Sequence, residues 1–188
     1  MSALLKIREL KKFFGQRQVL DDINFELKAG ERLGIVGRSG CGKSTLVKIV
    51  ARLLDSDGGL IIFDGEDITQ ATGLKLRGVY RRMQMIFQSP EDAFNPRRTL
   101  GWSIGEPLRN WALPNVEARV EELLTAVGLP TEFVSRYPHE VSGGQCQRAA
   151  IARALALEPK LLICDEATSA LDVTVQDQIV DLLRRLSV

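Results

Sequence analysis

The residues Gly37-Arg38-Ser39-Gly40-Cys41-Gly42-Lys43-Ser44 place a glycine, a glycine–lysine pair and a serine at the four fixed positions of G-x-x-x-x-G-K-[ST]. Glycines let a backbone curl until several N–H groups point inward at one anion. A helix starting directly afterwards adds its positive end. The lysine would reach the β- and γ-phosphates of a nucleotide, and the serine hydroxyl would ligate Mg²⁺. The alternative is an accidental glycine-rich turn. At average glycine usage the four fixed positions recur by chance in a chain this long about one time in a hundred or less. ATP and Mg²⁺ are therefore the expected ligands, held by residues 37–44 together with Thr45.

Two further sets have the right residue types. Asp165-Glu166 follows the apolar run Leu161-Leu162-Ile163-Cys164, and carboxylates at the end of a buried parallel strand stand where ligands bind. Asp165 would hold Mg²⁺ and Glu166 would polarise an attacking water. Two acids capping a strand end are also common without any function, so the pair gains its weight from the phosphate loop. Ser142-Gly143-Gly144-Gln145 precedes an alanine-rich helical stretch. A serine and two backbone N–H groups at a helix start suit a second anion, and they suit a plain N-cap with a flexible turn equally well.

The elements that must hold these groups are legible from periodicity. Leu4–Leu10 alternates apolar and charged residues and Val19–Leu27 repeats the pattern after Gly15-Gln16-Arg17, so the N-terminus reads as antiparallel strands. Arg32–Val36 reads as a short apolar strand leading into the loop, and Lys43–Leu54 as a helix ended by Gly58-Gly59. Leu60–Phe63 and Met83–Phe87 read as strands, and Ser89–Arg98 as a loop. Helical spacing then covers Val116–Val127 and Gln145–Leu157, with Pro130 and Pro138 as breaks. Leu161–Cys164 is a strand, and Val173–Leu186 a final amphipathic helix. Strands alternating with helices predict an α/β fold with a mainly parallel sheet and a helical insert.

Bulk properties fit one soluble domain. Of 188 residues, 45% are hydrophobic and 26% charged, and 25 basic residues against 24 acids leave a net charge of +1. That balance gives no electrostatic case for nucleic acid or an anionic membrane. Cys41, Cys146 and Cys164 are widely spaced, which suggests neither a disulfide framework nor a zinc site and suits a reducing cytosol. No apolar run approaches the roughly 20 residues that span a bilayer.

Taken in order, the phosphate loop, Gln88 after the Met83–Phe87 strand, Ser142–Gln145, Asp165-Glu166 and Ser169-Ala170-Leu171-Asp172 resemble the nucleotide-binding domain of ABC transporters over nearly the whole chain. The resemblance implies a P-loop NTPase (RecA-like) core over 1–90 and 158–188, with a helical insert over 91–157 carrying the signature. It implies that Phe14 stacks on adenine, although Phe13 is a neighbouring candidate and Phe14 would also serve as a core residue. Catalysis falls to Glu166, Lys43 and Gln88. Metal contacts fall to Ser44, Gln88 and Asp165. Ser142, Gly143, Gly144 and Gln145 would bind ATP held by an opposing subunit, and Asp172 would cross that interface. Implied partners are transmembrane permease subunits, a second ATP-binding subunit and, indirectly, a periplasmic or surface substrate-binding protein. Nucleic acid is not among them. The implied location is the cytoplasmic face of the cell membrane, held peripherally.

Gln88-Ser89-Pro90 running on to Asn95-Pro96-Arg97, with Tyr137-Pro138-His139-Glu140, resembles the subunits that energise import of dipeptides, oligopeptides or nickel. Val141 and Cys146 depart from the family's usual leucine and basic residue, and neither removes a phosphate contact. His139 lies before the signature, where the family uses it structurally, and no histidine follows Glu166. The family's switch histidine follows on a later strand, which sits between the strand leading to Gly37 and the one ending at Asp165. The sequence is thus expected to be a piece of a longer chain, able to bind nucleotide but poor at turnover. A soluble ABC-family ATPase of DNA repair or translation is the alternative reading.

Overall fold

The computed structural model describes residues 3–165, with Glu91 and Asp92 in backbone only. The chain forms two compact units, Met1–Arg81 and Arg82–Val188.

The N-terminal unit is built on an antiparallel sheet. β1 (Leu5–Phe14) and β2 (Arg17–Leu27) form a hairpin running from Leu5 opposite Leu27 to Phe14 opposite Arg17. β3 (Gly58–Phe63) lies on the other side of β1, and β4 (Glu66–Asp67) completes the order β2-β1-β3-β4. Asp64 and Gly65 join β3 to β4 with φ of 52° and 81°, the two left-handed residues that a type I′ turn needs.

β1 does not alternate evenly. Leu5 and Ile7 are buried, and then Leu10 and Lys12, so the inward set changes parity. Arg8 pairs with Leu60 and Lys11 with Gly58, leaving Glu9 and Leu10 opposite the single residue Gly59. Two residues against one make a β-bulge. A Cβ on Gly59 would stand 2.5 Å from the Leu10 Cα and 2.6 Å from the carbonyl oxygens of Arg8 and Glu9. Only glycine admits the bulged strand so closely.

α1 (Lys43–Val50) is shorter than the spacing suggested. Arg52 takes a left-handed φ of 58°, and the Leu53 N–H turns back to donate to the Lys48 carbonyl at 2.9 Å. This is the closing geometry of a helix C-terminus, usually reserved for glycine. α2 (Gly73–Arg82) had no counterpart in the sequence reading. Only Val79 is buried on it, so no apolar period marks it. The Tyr80 hydroxyl on this helix donates to the Arg52 carbonyl at 3.0 Å.

Arg32–Val36, expected as a strand, is not one. Neither described sheet includes it, and Leu33, Ile35 and Val36 are exposed, Val36 at 96%. An extended apolar run becomes a strand only when neighbouring backbone completes its hydrogen bonds. Among the described residues no strand lies alongside to do so.

In the C-terminal unit β5 (Met83–Ile86) and β6 (Leu161–Cys164) pair in parallel, Met83 opposite Leu161 through Ile86 opposite Cys164. Between them in sequence come α3 (Leu100–Asn110), α4 (Val116–Ala126) and α5 (Gly143–Leu155). Their common core includes Ile104, Leu108, Val120, Leu124 and Ile151, with Ile86 joining from β5. α5 contributes mainly alanines to that core, which lets its neighbours pack close to its backbone. No described helix is long and apolar enough to cross a membrane.

Candidate functional site

Residues 37–41 are exposed at the surface of the N-terminal unit. Gly40 and Gly42 hold φ of 75° and 98°, the left-handed conformations for which glycine is the natural choice. Gly42 is the N-cap of α1, and no side chain caps the helix there. No acidic residue in the first turn of α1 opposes an anion. Gly42 also lies against β2: a Cβ there would meet Val19 Cγ1 at 3.0 Å and the Val19 carbonyl oxygen at 3.1 Å. At Gly37 a Cβ would stand 2.7 Å from Cys41 Sγ.

Lys43 folds back over the loop, its ammonium donating to the carbonyls of Gly37 at 2.9 Å and Arg38 at 3.1 Å. The positive charge is thereby held against the loop backbone. Ser44 and Thr45 follow in the first turn of α1, partly buried. Phe14, at the end of β1, is 51% exposed, and Phe13 is 40% exposed. Neither is a core residue.

The C-terminal unit carries the remaining described candidates. Gln88 follows β5 by two residues and Asp165 follows β6 by one, so both stand at the same carboxyl end of a parallel pair. That edge is where open α/β sheets receive ligands. The Asp165 N–H donates to the Ile86 carbonyl at 3.0 Å, continuing the ladder one step past the strand. Desolvation around the sulfur pushes the Cys164 thiol up to about 11, although the residue as a whole is exposed. It is therefore protonated at neutral pH, as suits a packing residue rather than a nucleophile.

Ser142 caps α5 in a reciprocal box: its Oγ accepts from the Gln145 N–H at 3.3 Å, and Gln145 Oε1 accepts from the Ser142 N–H at 2.9 Å. Ser142 and Gly143 are exposed, and a Cβ on Gly143 would meet nothing within 4 Å, so glycine there leaves open approach to the helix start. The N–H groups of Gly143 and Gly144 lie in the same first turn, ahead of the Gln145 N–H that Ser142 caps. Ser142→Ala should lower stability by about 0.5–1 kcal/mol, the low end for an N-cap because the 3.3 Å bond is long. Ser142→Gly should cost only a few tenths of a kcal/mol. Urea unfolding of both variants measures the difference.

Glu166 and Asp172 lie outside the described residues. Ser44, Gln88 and Asp165 offer a hydroxyl, an amide and a carboxylate, hard oxygen donors that suit Mg²⁺. No cluster of three or more His, Cys, Asp or Glu side chains fit for a metal occurs among the described residues. Sequence reasoning did not single out Lys12 and Asp57, which are joined beside Phe14; an even alternation along β1 points to Lys11 instead.

A family model described as ABC transporter matches residues 20–169. The oligopeptide transport ATP-binding protein AppF of Bacillus subtilis (strain 168) is 46% identical over 97% of the chain. The glutathione import ATP-binding protein GsiA of Escherichia coli O6:H1 (strain CFT073) is 52% identical over 87% of it. The chain spans 60% of the length of the first and 27% of the second. Among solved structures, the dimeric ATP-binding cassette MJ0796, bound to ADP and Pi in a post-hydrolysis state, matches with a TM-score of 0.86. The match has 29% identity and covers 97% of this chain and 82% of that one. The P-loop NTPase fold read from the motifs is the fold of that cassette. With the glycine loop, the capped second glycine motif and these likenesses in agreement, the chain belongs to the ABC transporter family.

Proposed function

We propose that this chain binds ATP with Mg²⁺ and, within a longer protein, hydrolyses it to drive import of peptides or nickel through a transmembrane permease. The observation that carries the proposal is the exposed loop ahead of α1, with left-handed Gly40 and Gly42 and the Lys43 ammonium poised over it. The names of AppF and GsiA, an oligopeptide transporter component and a glutathione importer component, support the peptide class.

The residues divide the work by chemistry. Gly37, Arg38, Ser39, Gly40, Cys41 and Gly42 present backbone N–H groups to the phosphates, and Thr45 extends that set into the helix. Lys43 exchanges its two carbonyl partners for phosphate oxygens. Phe14 stacks on adenine. Ser44, Gln88 and Asp165 hold Mg²⁺, which neutralises charge on the phosphates when bound. Gln88 orients the attacking water and Glu166 accepts its proton. Ser142, Gly143, Gly144 and Gln145 complete the site of a second ATP-binding subunit, and Asp172 lies at that seam. The assembly works at the cytoplasmic face of the membrane, peripherally bound to its permease.

ATP that binds only the folded chain raises stability by RT ln(1 + [L]/Kd), about 2.7 kcal/mol at one hundred times Kd. Thermal unfolding with millimolar Mg-ATP should therefore show a clear rise in Tm, and AMP at the same concentration a much smaller one. Equal shifts with ATP and AMP, or none with either, would remove the phosphate loop from its assigned role.

A further inference from the structure

Four residues of the N-terminal unit form an arrangement that the phosphate loop does not explain. Lys12 is 8% exposed, one of few charged side chains buried in the described structure. Its ammonium lies 5.6 Å from the centroid of the Phe14 ring, within range of a cation–π attraction. The same ammonium donates to Asp57 Oδ1 at 3.1 Å, and Asp57 Oδ2 accepts from the Phe13 N–H at 2.6 Å. Asp57 thus grips the strand end at two points, one just before Phe14 and one beneath it. The Phe13 N–H, and then the Lys12 side chain, hold the Asp57 carboxyl below its ordinary range. Asp57 is therefore ionised at neutral pH.

Phe14 nevertheless remains 51% exposed. A surface phenylalanine normally turns freely about two bonds, and stacking then costs the entropy of holding it still. Here the cation holds the ring from one side while half of its surface stays in water. The fold links Lys12 to the phosphate loop: it is the register partner of Leu20 on β2, and Leu20 Cδ2 lies 3.1 Å from where a Cβ on Gly42 would stand.

We propose that Lys12, clamped by Asp57, is a positioning residue that fixes the Phe14 ring as a preformed platform for the adenine base of ATP. The proposal rests on the reading of Phe14 given above. A cation on one face draws electron density from the ring, which favours an electron-rich base on the other. Asp57 holds the Lys12 ammonium beside the Phe14 ring, so the role proposed for it concerns the base alone.

That separation supplies the test. Titration calorimetry on the full 188-residue chain compares ATP with inorganic tripolyphosphate, which has no base. Phe14→Ala should weaken ATP by about tenfold, as loss of a base–aromatic stack does, and leave tripolyphosphate unchanged. Lys12→Met keeps the apolar stem and removes the charge, and should weaken ATP about threefold with tripolyphosphate unchanged. Lys12→Arg should restore ATP binding, because guanidinium keeps both the ion pair and the ring contact. Should Lys12→Met fold poorly, Asp57→Asn loosens the clamp while retaining an acceptor for Phe13, and should move the same ratio the same way. Equal loss of ATP and tripolyphosphate in the Lys12 or Asp57 variants, or no loss of either, overturns the positioning role. An unchanged ratio in Phe14→Ala removes adenine stacking itself, and this proposal with it. A changed ratio in Phe14→Ala beside an unchanged one in Lys12→Met removes only the part assigned to Lys12.

Discussion

Gly59→Ala is expected to destabilise the N-terminal unit by about 3 kcal/mol or more, among the largest effects of any single methyl group in this chain. Two causes combine. The left-handed φ of 94° costs a non-glycine residue about 1–2 kcal/mol by itself. The added Cβ would then meet the backbone of Arg8, Glu9 and Leu10 at 2.5–2.6 Å, and backbone atoms in a paired strand cannot swing aside as a side-chain tip can. Gly65→Ala is the control. It shares a positive φ, 81°, but nothing lies within 4 Å of its Cβ position, so only the conformational cost remains. Urea midpoints for the two variants separate strain from collision. Equal losses would mean that the bulge relaxes to accept the methyl group.

Lys43→Met should lower affinity for Mg-ATP by about ten- to a hundredfold, since hydrogen bonds to a charged group contribute about 1.5–3 kcal/mol and each 1.4 kcal/mol is a factor of ten. Its effect on stability should be small. The two carbonyls that Lys43 serves, those of Gly37 and Arg38, belong to exposed residues, so water can replace the ammonium. Calorimetric titration beside thermal unfolding reads both quantities. A variant that binds ATP as the parent does would show that the lysine only braces the loop. One that loses most of its stability would show that the brace is part of the fold.

The phosphate loop was legible because its residue types are dictated one by one: left-handed glycines, a lysine within reach, a hydroxyl in the first turn. α4 and α5 of the C-terminal unit were legible because apolar residues recur there at helical spacing and Pro130 and Pro138 mark the breaks between them. β5 and β6 were plain as short apolar runs. Other features obeyed rules that spacing does not carry. Arg32–Val36 has the residues of a strand and no described strand beside it, and pairing is a property of neighbours. α2 buries one side chain, too few to set a period. α1 stops at a left-handed arginine where a reader looks for glycine. Lys12 escaped because the alternation read over Leu4–Leu10 gives no sign of the bulge, and an even pattern continued from Leu5 would point Lys11 inward and leave Lys12 in water.

The bulge at Glu9 and Leu10 has a consequence for how this stretch is compared with others. Upstream of it the inward residues are odd-numbered, and downstream they are even-numbered. Lys11-Lys12 and Phe13-Phe14 are each a doublet of identical residues, so an alignment scored on residue type cannot tell one member from the other. A gap placed one position to the side would match Lys11 to the buried cation and Phe13 to the platform, at no penalty in score. Equivalence along β1 is therefore better set by counting back from Gly59 across the sheet than forward from Leu5 along the chain.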